Sequence, residues 1–399
     1  MARGRWAVAT AGVLLQVVLG AVYAWSVFSQ PLADRFGWSG PEITLTFTTA
    51  ILTLGFVAFA GGIWMRRSGP RVVAVTGATL YGSGVALAGV IGGTLPGLYL
   101  SYGVLAGAGM GLAYIVPLAT LVKWFPDRRG LMTGIAVGGF GAGALITAPV
   151  ATRLIDSVGV MRTFTILGCA YLVLGVVAAL FMVNPPRGVM LATGAVRAGE
   201  RRVADDCSLR EGLRTWQWYA LWALLFLNVT AGIAVIGHAA PMAMELGGAD
   251  ALAAAGLVGL ISVANGAGRV IWAWLSDYVG RKWVFLAMFG IQAGAFYALP
   301  YAASYLVVAA LCATILLCYG GGFGTMPALV ADYFGPTHVG AIYGLMLTAW
   351  GFASALGPLL FASLRETTGS YGPALTIMGT IMLASMALPF VVRPPEPGC

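Results

Sequence analysis

The sequence predicts an all-α polytopic membrane protein of twelve transmembrane helices, arranged as two pseudo-symmetric six-helix bundles. Three observations carry that expectation. Only 9% of the 399 residues are charged while 59% are hydrophobic, against about 25% charged in an ordinary soluble domain. Apolar runs of roughly 18 residues or more recur along the whole chain, and each is long enough to cross the hydrocarbon core as a helix. The second half also repeats the first at a spacing of about 210 residues.

The N-terminus opens with Arg3 and Arg5 and leads into an apolar run over roughly 6–28. Further spans follow and no small-residue cleavage site is visible, so this run reads as a retained first helix. Spans 2 and 3, at roughly 43–64 and 71–93, flank the basic loop WMRRSGPR (64–71). Spans 4 (97–122) and 5 (131–154) flank Lys123, Arg128 and Arg129, and span 6 (162–183) ends at NPPRG. Residues 184–214 contain RAGERRVADDCSLREGLR, which is too long and too polar for a membrane turn. They read as a cytoplasmic linker between an N-terminal bundle, 1–183, and a C-terminal bundle, 215–399. Spans 7 to 12 follow at roughly 216–243, 252–275, 283–302, 304–331, 339–363 and 372–392.

Orientation comes from counting Lys and Arg. With the N-terminus inside, 17 of the 22 basic residues fall on the inner side and only Arg35, Arg153, Arg162 and Arg365 on the outer. Both termini and the linker are therefore expected in the cytoplasm, in a plasma membrane of bacterial inner-membrane type. The net charge of +8 lies in these short loops, which excludes a nucleic-acid reading. The five cysteines show no metal-ligand or redox spacing and read as free thiols. With two histidines in the chain, no metal site and no cofactor are expected.

The repeat lays QPLADRFGW (30–38) over APMAMELGG (240–248) and pairs Pro31 with Pro241. It also pairs Pro117 with Pro327, Gly130 with Gly340, and Gly134 with Gly344; WMRRSGPR falls on LSDYVGRK (275–282). Two parallel six-helix halves imply a site at their interface near the membrane midplane.

Asp277, Gly280, Arg281 and Lys282 supply the loop motif of the major facilitator superfamily, approximately Gly-x-x-x-Asp-Arg-x-Gly-Arg-Lys, and the chain resembles that superfamily over essentially its full length. The first-half copy keeps Gly62, Arg67 and Gly69 but has Arg66 where the acid belongs. The resemblance implies the major facilitator fold, with Asp277, Gly280 and Arg281 as a conformational motif. Three further segments, GAVYAWSVFSQPLADRFGWS (20–39), NGAGRVIWAWLSDYVGRK (265–282) and YGGGFGTMPALVADYFG (319–335), narrow it. They resemble the oxalate/formate antiporter family and its monocarboxylate-carrier relatives, implying small organic anions as substrates.

Every acidic residue falls at a loop or helix end, whereas Arg269 lies within span 8 among apolar and small residues. Placing it at the membrane centre costs about 2.5–3.5 kcal/mol on the insertion scale unless a cavity or counter-ion relieves it. One reading has the side chain snorkel toward the cytoplasmic headgroups. The other makes it a substrate-carboxylate clamp, because an arginine fork matches a carboxylate bidentately and cannot lose its proton. Gly266 and Gly268 suit a helix in close contact with others and favour the clamp. Asn265, one turn back on the same face, can contact a substrate hydroxyl or carbonyl, or simply bond a neighbouring helix.

His238 is the one titratable group of near-neutral pKa at membrane depth. It reads either as a proton-coupling group or as a hydrogen-bonded structural histidine near the outer end. The repeat places it at the position of Phe28 in span 1. His338 opens span 11 and reads as an interface residue. Tyr23, Tyr114, Tyr319, Phe323 and Phe352 are candidate cavity aromatics, Tyr319 foremost, because its hydroxyl could share a carboxylate with Arg269.

Oxalate carriers of the resembling family pair this arginine with a lysine in span 11. Here Trp350 stands near that place and residues 344–357 contain no Lys or Arg. A dianion would bring one uncompensated charge into a low-dielectric site. The expectation is therefore a secondary active transporter of small monocarboxylates such as lactate or pyruvate. Proton symport by alternating access and function as a monomer are expected, with oxalate/formate-type anion exchange as the alternative. No nucleophile–base pair, metal cluster or phosphate loop points to an enzyme.

Overall fold

The computed structural model describes residues 2–186 and 206–395; most of the expected linker, 187–205, lies outside them. No strand occurs among the described residues. Among the described residues, eleven helices are long and apolar enough to cross a membrane. One of them, Gly40–Ile91, bends at Gly69 (φ 78°, ψ 166°) just before Pro70, which breaks it into two arms. The twelve expected spans result.

In order they are α1 (Gly4–Phe36), α2 and α3 (40–68 and 70–91), α4 (Leu95–Trp124), α5 (Pro126–Val158) and α6 (Val160–Leu180). The second half supplies α7 (Trp216–Gly247), α8 (Ala251–Val279), α9 (Arg281–Tyr301), α10 (Tyr305–Phe334), α11 (Val339–Thr368) and α12 (Gly372–Val391). Several run past the predicted bounds, since hydropathy marks only the part in hydrocarbon while backbone bonding continues to the caps. Thus α1 stops at Gly37 (φ 71°) and α7 at Gly248 (φ 61°), both left-handed.

Residues cluster in two compact units. Unit 1 holds 1–127, 139–209 and 335–348; unit 2 holds 128–138, 210–334 and 349–399. The units follow the two halves except for 128–138 and 335–348, which each cluster with the opposite half. Glycines explain both exceptions. A Cβ on Gly62 would strike the backbone of Gly340 in unit 1, and one on Gly130 would strike the backbone of Ala273 in unit 2. Only residues without side chains allow helices to approach so closely.

Large apolar side chains such as Phe56, Leu100, Val173 and Leu359 remain more than half exposed. That pattern suits helices whose outer faces meet lipid tails. Cys169, Cys312 and Cys318 are free, but Cys207 is disulfide-bonded, which corrects the free-thiol expectation. Thiol pairing depends on tertiary placement, and spacing along the chain does not carry it.

Candidate functional site

Helix α8 is capped at its N-terminus by Asp250, whose side chain accepts the amide of Ala253 at 2.7 Å. It lies against α10 through Gly268, Gly320 and Gly324. A Cβ on these would strike the backbone of Leu317, Asn265 and Arg269 respectively. That close crossing buries the face carrying Asn265 and Arg269, which are 7% and 1% exposed.

The Arg269 guanidinium turns back along its own helix. Its Nε donates to Asn265 Oδ1 at 3.2 Å, and Nη1 donates to the Val137 carbonyl at 3.1 Å. Its Cζ stands 5.2 Å from the centre of the Phe323 ring. A snorkelling side chain would extend toward Asp277; this one points the other way and is enclosed. Phe323 meets Tyr319 edge-on at 5.3 Å and Trp350 at 5.1 Å. Unit 2 thus brings Arg269, Asn265, Phe323, Tyr319 and Trp350 into one cluster, with a cationic fork backed by rings.

Unit 1 holds the other two tyrosines. Tyr23 and Tyr114 both meet Phe140 edge-on, at 5.1 and 5.2 Å. Beside them Gln16 is fully buried, and its Nε2 donates to the Tyr114 carbonyl at 3.1 Å. Sequence reasoning passed over Gln16, although a lone amide inside the apolar run AVATAGVLLQVVLG was a visible signal. Phe352 sits apart from the Arg269 cluster, 54% exposed, with its nearest described ring that of Trp222 at 6.1 Å.

His238 of α7 uses both ring nitrogens. Nδ1 lies 3.0 Å from the Tyr371 hydroxyl and Nε2 lies 3.1 Å from the Pro358 carbonyl. A carbonyl can only accept, so Nε2 carries the proton, and in the neutral ring Nδ1 accepts from the phenol. Burial pushes the Tyr371 hydroxyl above its ordinary pKa, which keeps it a donor. The Tyr371 amide in turn donates to Glu245, which pairs with Arg365 at 2.9 Å. Phe28, at the repeat position of His238, stacks on Phe164 at 4.5 Å.

The motif loop is a compact charge network in unit 2. Asp277 accepts the amides of Gly130 and Leu131 at 3.0 and 2.8 Å. These are orphan donors at the start of a helix, where a carboxylate is favoured. Arg281 bonds Asp277 at 2.7 Å and Asp332 at 3.0 Å, and Arg129 bonds Asp332 at 3.1 Å. Gly280 (φ 96°, ψ 145°) makes the turn that returns Arg281 to Asp277.

The comparisons with known proteins agree with this architecture. The family model described as Major Facilitator Superfamily matches residues 10–271 and 221–398. The oxalate:formate antiporter of Oxalobacter formigenes is 28% identical over 401 residues, 98% of this chain and 93% of the relative. Apicoplast pyruvate carrier 1 of Toxoplasma gondii is 26% identical over 386 residues, 82% of this chain and 70% of the relative. A crystal structure of the E. coli fucose:proton symporter FucP superposes with a TM-score of 0.73 at 16% identity, covering 97% of this chain and 98% of that one, and shows the shared fold. The chain is a multi-pass membrane protein belonging to the Major Facilitator Superfamily, a family of transporters rather than enzymes.

Proposed function

We propose that this protein is a secondary active transporter of small monocarboxylates of the lactate or pyruvate kind, working by proton symport and alternating access. The observation that carries the proposal is Arg269. It is a permanent charge, 1% exposed, inside a transmembrane helix and held by an amide oxygen and a backbone carbonyl. A substrate carboxylate would match its fork bidentately. Asn265 shares the cluster and offers an amide to a 2-hydroxy or 2-oxo group. Tyr319, Phe323 and Trp350 supply an aromatic wall. The similarity to the pyruvate carrier of T. gondii supports this substrate class.

A monocarboxylate moving with a proton crosses without net charge. It avoids work against an inside-negative potential, about 2.3 kcal/mol per charge per 100 mV. The proton travels with the anion or through His238, whose Tyr371 bond gives a protonated ring an oxygen to donate to. Tyr23 and Tyr114 are proposed as substrate contacts, and Phe352 as a further ring. The Lys and Arg distribution supports cytoplasmic termini in a bacterial inner membrane, with the monomer as the working unit.

The test is uptake of labelled lactate into proteoliposomes under an inward proton gradient, with Arg269→Gln alongside. Gradient-independent uptake, or full activity in that variant, would sink the mechanism. A second reading is anion exchange of the oxalate/formate type, favoured by the similarity to the oxalate:formate antiporter. It predicts uptake only when the vesicles are preloaded with an anion.

A further inference from the structure

The repeat relates the two motif loops position by position, and one pair reverses its charge. WMRRSGPR over LSDYVGRK places Arg66 at the position of Asp277. The same repeat places Gly340 and Ala341 at the positions of Gly130 and Leu131, whose amides Asp277 accepts in unit 2. Unit 1 therefore has the helix start but a cation where its carboxylate belongs.

The space there is a cavity of about 290 Å³ within unit 1, whose walls include Arg66, Lys123, Asn184, His338, Gly340 and Ala341. That is near the lower end of the range for small-molecule sites. Arg66 is exposed and Lys123 is half-buried. The Nδ1 of His338 is buried without a hydrogen-bond partner among the described residues, while the residue bonds the Cys207 backbone. Asp206 brings one acid close, and its Oδ2 accepts the Thr337 amide at 2.9 Å. Among the described residues, two cations against one carboxylate leave a net positive charge.

We propose that this cavity is an oxyanion-binding site distinct from the Arg269 cluster. It would hold the phosphate, sulfate or carboxylate group of a free solute or of a lipid headgroup, where Asp277 places its own carboxylate in unit 2. Arg66 and Lys123 supply the charge, Asn184 a neutral donor, and His338 Nδ1 a further donor once protonated. Burial, with Arg66 and Lys123 nearby, holds His338 below the usual histidine range, against Asp206 and the Cys207 backbone bond that raise it. A bound anion offsets that depression, so binding takes up a proton and tightens as pH falls. The site stands independently of the transported substrate; only its cytoplasmic location rests on the orientation proposed above.

The experiment titrates the purified full-length protein with sulfate, whose charge is constant from pH 7.5 to 5.5, at ionic strength fixed with chloride. Calorimetry and thermal denaturation read the binding. Wild type should bind, more tightly at the lower pH. Arg66→Asp restores the acid of the second-half loop and should fold normally, yet weaken sulfate about ten- to a hundredfold, the loss of one charge-assisted contact. Arg269→Gln should bind sulfate as wild type does. No binding by wild type, or equal binding by Arg66→Asp, overturns the proposal. Equal loss in Arg269→Gln also overturns it, by reassigning the sulfate to the Arg269 cluster. Repeating the titration in phosphatidylcholine nanodiscs with and without phosphatidylglycerol identifies the source. Competition by the anionic lipid assigns the site to a headgroup, and unchanged affinity assigns it to a free anion.

Discussion

Arg269 donates from Nε to the Oδ1 of Asn265, 3.2 Å away and one turn back on the same helix. This bond aims the guanidinium along the face that packs on α10, at the Val137 carbonyl and over Phe323. An arginine held this way is an oriented fork rather than a diffuse charge, so its geometry and its charge can be tested separately.

Arg269→Lys keeps the charge and loses the fork, while Arg269→Gln loses both. Transport should fall in both variants, with Lys retaining weak activity and Gln none. Asn265→Ala should raise the KM about tenfold or more, the worth of one hydrogen bond to a charged group. Initial-rate uptake in proteoliposomes checks the series. A wild-type KM in Asn265→Ala would show that Asn265 only bonds neighbouring helices.

Trp350 sits against Phe323, which carries Arg269 on its face. Trp350→Lys places a second cation in the cluster and should shift preference from lactate toward oxalate. Thermal stabilisation by a panel of mono- and dicarboxylates reads the change. A dicarboxylate preference already present in wild type would refute the one-cation argument.

Asp277 accepts two helix-start amides and pairs with Arg281. Removing it leaves a mostly enclosed arginine and two donors short of a partner. Asp277→Ala should therefore cost about 2–3 kcal/mol, read as a fall in melting temperature of the detergent-solubilised protein. Asp277→Asn, which keeps one acceptor oxygen but no charge, should lie between. A wild-type melting temperature in Asp277→Ala would contradict the network.

His338 has a folded-state pKa below its unfolded value of about 6.5. The unfolded chain then binds more protons, so this residue withdraws stability as pH falls through that value and has no effect well above it. His338→Asn should flatten the dependence of melting temperature on pH between about 7.5 and 5.5. Sulfate should flatten it in wild type. An identical pH profile in His338→Asn would exclude His338 as the titrating group.

His238 bonds both Tyr371 and Pro358 in its neutral form. If it carries the coupling proton, His238→Gln should keep lactate exchange between loaded vesicles while losing accumulation driven by the proton gradient. Loss of both activities together with a lower melting temperature would mark it as a structural histidine instead.

Spans, repeat and motif loop were legible because hydropathy, prolines and glycines act locally. A run too apolar for water must cross the membrane whatever its neighbours do, and Gly69 with Pro70 bends the backbone by its own sterics. The candidate site was legible in part for the same reason. A charge inside an apolar helix is conspicuous, as Arg269 was, and Gln16 carried a fainter version of that signal.

The sequence by itself determined the class, the twelve crossings, the repeat and which residues are chemically out of place, since these follow from side-chain solubility and backbone stereochemistry. Tertiary structure decided what those residues touch. It turned Arg269 away from Asp277, paired both nitrogens of His238, separated Phe352 from the Arg269 cluster and joined Cys207 in a disulfide. It also placed Arg66 beside Lys123 and His338 around a cavity. Such contacts link positions far apart in sequence, and they depend on how closely glycine-lined helices approach, which no local pattern encodes.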